Sequence, residues 1–375
     1  MIYREFWINK LLNAWESRSL IWLSGVRRSG KTSLAKMLPE AIYFNCDLPS
    51  VVKMLDDPEY FYQNQPQEAI LIFDEIHRLK DPSMVLKIGV GEYPHLKILA
   101  TGSSTLAATK KFRDSLTGRK INIYLPPVIW SESVQLFGVT DFDKRLIRGG
   151  LPEFLLSESK NSTLYAEWID SYYARDIQEL FQVRNREGFL KLLKLLFIQS
   201  GGLLEITNLA KESALSRPTV MSHIESLSIA HAIYLVPPFF GGGRNEIVKR
   251  PKVYAFDTGF VTFMNGWNEI RESDRGILWE HLALDMLRGV FQDVFYWKDK
   301  DNSEIDFIIK GQLDEVHVFE CKINPDKFSA NPLVKFRKLY PRGKNYCFCP
   351  YLSNPFKLRV SGLEVEFIAV LPDEI

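Results

Sequence analysis

The 375-residue chain lacks most of the features that would place it at a glance. Its four cysteines, Cys46, Cys321, Cys347 and Cys349, are scattered without the paired spacing of a structural zinc site, so reduced and buried thiols are expected. No sign of charge dominates: 47 basic against 46 acidic residues leave a net charge of +1, and any attraction to nucleic acid or anionic lipid has to come from a local patch. Long apolar runs are missing as well. The leucine-rich stretch ending at Ile198 is broken by Lys191 and Lys194, so no membrane span and no membrane partner are expected. The opening residues Met1 to Glu5 do not have the basic-then-apolar layout of a secretory signal, and no lipidation box is evident; a cytoplasmic address is the expectation. Internal repeats and low-complexity tracts are absent too.

What is present is the composition of a folded chain, 46% apolar and 25% charged, at a length that exceeds one ordinary core. From Leu20 to about Leu125, short apolar strands alternate with helical stretches, the layout of a mostly parallel sheet covered on both faces. The strand candidates are Leu20–Leu23, Ala41–Cys46, Ala69–Phe73, Leu96–Ala100 and Lys120–Leu125. From Pro126 the pattern turns helical. Next, a helix over Ile206–Ser213 and a second opened by Ser216-Arg217-Pro218 read as helix-turn-helix, with Ser216 as N-cap and Pro218 in the first turn. Apolar strands near 232–236 and 252–256 around Gly241-Gly242-Gly243 read as a wing. The last part begins with a helix over Ile277–Val290 and continues as strands. The expected division is therefore α/β: a parallel-sheet core (1–125), a helical lid (126–186), a winged helix (187–258) and a C-terminal α/β domain (259–375).

Gly25-Val26-Arg27-Arg28-Ser29-Gly30-Lys31-Thr32 satisfies GxxxxGK[ST] between an apolar strand and a helix, the context this motif requires. The glycines let backbone N–H groups curl around an anion, Lys31 reaches the β and γ phosphates, and the Thr32 hydroxyl ligates Mg²⁺. Gly25, Arg28, Ser29, Gly30, Lys31, Thr32 and Ser33 are the candidate nucleotide-binding residues, with ATP and Mg²⁺ as cofactors. The strand Ala69–Phe73 ends in Asp74 and Glu75: Asp74 is expected in the Mg²⁺ shell, and Glu75 is expected to polarise the attacking water. That second role favours ATP hydrolysis over phosphoryl transfer to a small molecule. The strand ending Ala100-Thr101-Gly102-Ser103-Ser104 offers Ser103 or Ser104 toward the γ-phosphate. Arg119 is a candidate to neutralise transition-state charge, in cis or from a neighbouring protomer.

The strings GVRRSGKTSL, AILIFDEIHRL, ILATGSSTL, SLTGRKINIYLPP and GGLPEF together resemble a large prokaryotic family of AAA-like P-loop ATPases, and IVKRPKVYAFDTGF, ILWEHLALDML, SEIDFII and VFECK continue the resemblance in order. Members join this core to a C-terminal region with a winged helix and a restriction-endonuclease-like domain. The resemblance implies an additional-strand P-loop fold in which Lys31, Thr32, Asp74 and Glu75 take the roles assigned above, and it strengthens Ser103 and Arg119.

In the C-terminal part, strand periodicity puts Glu320 and Lys322 on one face, with Asp306 on the preceding strand and Glu280 on the helix. This set resembles the metal and catalytic residues of restriction-type nucleases. Glu280, Asp306 and Glu320 are candidate ligands of a second Mg²⁺, and Lys322 is a candidate to orient or deprotonate water. This copy has Ile305 where many such nucleases have proline. In the helix-turn-helix, Arg217, Thr219, Ser222, His223 and Ser226 form the expected outward face, and Arg244, Lys249, Arg250 and Lys252 with Phe239-Phe240 form a basic wing able to grip DNA. Two readings follow: an ATPase coupled to a DNA-associated nuclease-like module, or a nucleotide-controlled signalling switch whose nuclease-like part is an inactive scaffold for protein partners. A nucleotide-dependent homo-oligomer is compatible with both.

Overall fold

Strand β1 (Leu20–Ser24) is buried along its whole length, because its alternate side chains enter two different cores. Leu20 and Trp22 pack with Phe44, Leu71, Phe73, Ile98 and Leu86 on one face; Ile21 and Leu23 pack with Ile72, Leu99, Ile123 and the N-terminal helix residues Trp7, Ile8 and Leu11 on the other. A strand covered on both faces must be apolar at every position, which explains the unbroken apolar runs. The structure, a computed structural model, describes residues 2–102, 116–178, 181, 183–240 and 250–371.

β1 is joined by β2 (Ala41–Asn45), β3 (Ile70–Asp74), β4 (Lys97–Thr101) and β5 (Lys120–Tyr124) in the all-parallel order β2-β3-β4-β1-β5. All five strands expected from the sequence are present. The order places the C-terminal ends of β1, β3 and β4 side by side, the edge at which open α/β sheets bind ligands.

Beyond β5 the chain is helical, through Phe142–Arg148, Ser162–Tyr172, a π-helical segment Tyr173–Gln178 and Arg186–Ile198. Helices Ile206–Ser213 and Arg217–Ile229 follow, the second capped by the Ser216 side chain on Thr219 N. The antiparallel pair β6 (Ile233–Val236) and β7 (Lys252–Ala255) comes next. After helix Glu272–Val290, six strands form a mixed sheet: β8 (Phe295–Lys298), β9 (Glu304–Lys310), β10 (Val316–Cys321), β11 (Asn345–Phe348), β12 (Phe356–Val360) and β13 (Leu363–Ile368), in the order β12-β13-β11-β10-β9-β8. One buried apolar cluster runs from Leu146 and Trp168 through Phe197, Phe256 and Phe260 to Trp279, Phe307 and Phe319, so the expected boundaries at 186 and 258 are not marked by a break in the core.

Gly149 and Gly150 matter to the site because they lie against Asp257. A Cβ on Gly149 would stand 1.9 Å from Asp257 Oδ1, and Gly150 N donates to Asp257 Oδ2 at 2.6 Å. This side-chain-free contact anchors the segment that continues through Pro152 and Glu153 to the P-loop.

Candidate functional site

The loop Gly25–Thr32 leaves β1 and enters helix Lys31–Ala35, with Gly30 as a left-handed N-cap at φ 98°. Gly25 tolerates no side chain, since a Cβ there would come 2.5 Å from the Leu125 carbonyl oxygen. Lys31 is folded over the loop and donates to Gly25 O (2.9 Å) and Val26 O (3.0 Å). Burial lowers its pKa, against the opposing pull of Glu75 and Asp176. Among the described residues its hydrogen bonds go to backbone carbonyls and it makes no direct ion pair, which leaves a desolvated ammonium able to take an anion. Ser29 Oγ is buried and has no hydrogen-bond partner among the described residues.

Parallel pairing of β2, β3 and β4 gathers Tyr43, Asp74 and Thr101 at the sheet edge, and the helix Lys31–Ala35 adds Thr32. Asp74 Oδ2 accepts from Thr32 Oγ1 (2.8 Å) and from Tyr43 OH (2.5 Å), and Asp74 Oδ1 accepts from Thr101 Oγ1. Among the described residues the acid's side-chain hydrogen bonds all come from neutral hydroxyls. Glu75 follows in the left-handed region at φ 56°, with its N–H on Thr101 Oγ1 (3.2 Å) and its carboxylate 3.2 Å from His77 Nδ1. Gly25, Arg28, Gly30, Lys31, Thr32, Ser33 and Glu75 line one cavity of about 490 Å³. A hydroxyl, a carboxylate and room for phosphate are the hard-oxygen environment that suits Mg²⁺, which takes one or two protein ligands and completes its shell with phosphate and water.

Several contributors escaped the reading from sequence. Thr101 lies two residues before the expected Ser103, and Tyr43 reaches Asp74 from the adjacent strand. The helical region adds Arg175, Asp176, Pro152 and Glu153 to the cavity wall, and Ala230 adds the turn after helix Arg217–Ile229. Two of these acids hold the loop's arginines, Arg27 to Asp176 at 2.8 Å and Arg28 to Glu153 at 2.9 Å. Ser103 lies outside the described residues. Arg119 is exposed on the turn before β5, beside Gly91, and is not among the residues lining this cavity.

The C-terminal candidates also meet. Lys322 Nζ is 2.9 Å from Glu320 Oε2 and 3.5 Å from Asp306 Oδ2, and Cys321 N donates to Asp306 Oδ2 at 2.8 Å. Glu280 lies nearby and accepts from Tyr254 OH at 3.0 Å. Burial, reinforced by the Asp306 charge, pushes Glu280 up to about 7 and Glu320 up to about 8. Lys252 is the unexpected member: it is ion-paired with Glu304 and lies 3.9 Å from Glu280. Each carboxylate therefore already has a lysine within ion-pair range, and among the described residues no group of three or more His, Cys, Asp or Glu is arranged to hold a metal ion. As arranged, these residues do not fit a divalent cation.

The expected DNA-facing set is corrected on three points. His223 and Ser226 are buried, at 9% and 6% exposure: the His223 ring meets Phe189 of helix Arg186–Ile198 edge-on, and Ser226 Oγ turns back to donate to Ser222 O. Lys252 is buried in the acid cluster, and Arg250 is ion-paired with Glu205. Arg244 and Lys249 lie outside the described residues.

Residues 17–134 match the model of an AAA domain family, whereas residues 139–271 and 275–361 match two families described as domains of unknown function, DUF8612 and DUF4143. Together with the P-loop and the five-stranded parallel sheet, this defines the N-terminal region as an AAA-type P-loop NTPase fold. The chain is similar to uncharacterized proteins of Mycobacterium tuberculosis and Mycobacterium bovis, each 24% identical over 317 residues, which span 80% of this chain and 70% of the relative. Among solved structures it is similar to a Walker-type ATPase of Pyrococcus abyssi (TM-score 0.46, 17% identity, 71% of this chain and 96% of that one). It is also similar to RuvB of Thermotoga maritima (TM-score 0.34, 17% identity, 63% and 90%). Among the described residues no helix is long and apolar enough to cross a membrane.

Proposed function

We propose that the chain is a Mg²⁺-dependent ATPase whose nucleotide state is passed to its C-terminal half, so that it works as a nucleotide-controlled switch. The observation that carries this reading is the single cavity in which Lys31, Thr32 and Glu75 converge, with Thr32 hydrogen-bonded to Asp74 and with walls from the helical region and the Ala230 turn. Lys31 would exchange its two carbonyl partners for the β and γ phosphates. Thr32 and Asp74 would hold Mg²⁺, which when bound neutralises charge developing on the transferred phosphoryl group. Glu75 would orient and deprotonate the attacking water.

Binding of a triphosphate would also compete for Arg27 and Arg28, which now pair with Asp176 and Glu153. Drawing two cations toward phosphate loosens two ties to the helical region, a direct route from ligand charge to domain position. The C-terminal half then serves as a scaffold for protein partners, and not as a DNA-cutting module. This choice is favoured by the burial of His223, Ser226 and Lys252.

Phosphate release by the wild type, Lys31→Ala and Glu75→Gln, with and without DNA, tests the reading. The expected result is turnover indifferent to DNA, loss of nucleotide binding in Lys31→Ala, and retained binding without hydrolysis in Glu75→Gln. Turnover unchanged in Glu75→Gln would remove the assigned base, and strong stimulation by DNA would restore the nucleic-acid reading.

A further inference from the structure

Lys252 reaches the acid cluster from outside the C-terminal sheet. It opens β7, and the β6–β7 pair is stitched to the edge strand β8 by backbone bonds, Tyr296 N donating to Pro237 O (3.0 Å) and Phe239 N donating to Tyr296 O (2.6 Å). Tyr296 OH donates to Arg250 O at 2.6 Å, just ahead of Lys252. The Lys252 side chain then crosses this seam over the Tyr296 ring, with 6% of it exposed, to pair with Glu304 and approach Glu280. Tyr254 lies two residues on, so it projects from the same strand face, and it fixes the same Glu280.

A buried ammonium persists only where opposite charge and hydrogen bonds replace its water. Each lysine of the cluster meets that condition, while Glu320 Oε1 is buried without a hydrogen-bond partner among the described residues. Glu304 holds Lys252 and Lys298, Glu320 and Asp306 share Lys322, and Glu280 is held by Tyr254 beside Lys252. A divalent cation placed here would enter among three lysines already paired with these acids, and Lys252 is delivered by a strand outside the sheet.

We infer that Lys252 is the resident counter-ion of this cluster, and that Glu280, Glu304, Asp306 and Glu320 with their lysines form an ionic clamp between the β6–β7 pair and the six-stranded sheet, not a divalent-cation centre. The clamp explains why these acids sit against a lysine supplied by a different part of the chain.

Two measurements on the full chain test this. In the first, Mn²⁺ is titrated into nucleotide-free wild type and Glu320→Gln and followed by loss of the free-ion EPR signal. The two curves are expected to superimpose; one additional ion bound by the wild type and lost in Glu320→Gln overturns the inference. In the second, Lys252→Met is expected to lower the melting temperature by about 5 °C, the scale of breaking a buried pair in a chain of this length. Removing the stranded charges in Lys252→Met/Glu280→Gln/Glu304→Gln is expected to recover at least about half of that loss. If Lys252→Met melts like the wild type, or if the triple variant recovers nothing or fails to fold, the clamp is refuted. Should only the single variant fail to fold, a folded triple variant supports it.

Discussion

The two ends of this molecule handle the same problem, carboxylates and a lysine gathered beside a sheet, in opposite ways. At the nucleotide site Asp74 is held by three neutral hydroxyls, from Thr32, Tyr43 and Thr101, while Lys31 rests on backbone carbonyls. Neutral donors position the acid and the lysine makes no direct ion pair among the described residues, so the site keeps attraction for a cation and for an anion. In the C-terminal cluster the lysines sit directly on the acids, and burial beside the Asp306 charge also raises Glu280 and Glu320 toward protonation. Neutral donors position a carboxylate without satisfying its charge; ammonium groups do both. The lesson is that the presence of acids and a lysine does not define a metal site, whereas the identity of their partners does.

The largest test of this contrast is Asp74→Asn. An amide keeps the shape but removes the charge that the hydroxyl cradle preserves, so ATP turnover should fall at least about 100-fold while the fold persists, as read by phosphate release beside circular dichroism. The cradle itself comes next. Tyr43→Phe removes one net hydrogen bond to Asp74, so the apparent Mg²⁺ requirement for turnover should rise about tenfold, while Mg²⁺-free ADP affinity stays unchanged. Equal losses of both would show that Tyr43 supports the loop as a whole and does not position the acid.

How much of this was legible from the chain depends on how far apart the cooperating residues lie. The loop from Gly25 to Thr32 and the Asp74-Glu75 pair are contiguous strings with fixed strand and helix contexts, so both could be read directly. Tyr43 could not, because its contact with Asp74 depends on the β2–β3 register, Asn45 opposite Asp74, which follows from three-dimensional pairing and not from local pattern. Thr101 stood in the string already singled out, yet its serine neighbours were preferred. Lys252 reads from sequence as part of a basic wing because it follows Arg244, Lys249 and Arg250 in one charged string. Only the docking of β7 on the sheet shows that its charge is spent. Similarly, helical periodicity identified the 217–229 helix but could not say which of its faces meets Arg186–Ile198.

A third manner of burying a carboxylate lies between the two ends. Asp285, on helix Glu272–Val290, is 4% exposed, and burial pushes it from 3.8 up to about 8, only partly offset by Arg145 and Arg288. Here the charge is met by a proton. With the folded pKa above the unfolded one, the native state holds the proton longer, so the acid's contribution to stability is lost as the pH rises from about 4 through about 8. Asp285→Asn should flatten that slope. Its melting temperature relative to the wild type should improve between pH 5 and pH 8, whereas an unchanged difference would mean that Asp285 is ionised in the folded chain.

The smallest effect is expected at Arg119, and it bears on whether the nucleotide site is complete within one chain. The side chain is exposed and does not line the cavity, so Arg119→Ala in dilute solution should change turnover less than about twofold, the scale of a lost surface contact. Wild-type turnover per chain is then measured against protein concentration. If it rises and the rise is absent in Arg119→Ala, the arginine serves a neighbouring protomer, and the charge that Lys31 and Asp74 leave unspent is completed in trans. Parallel curves for the two proteins would instead confine the working site to the residues of one chain.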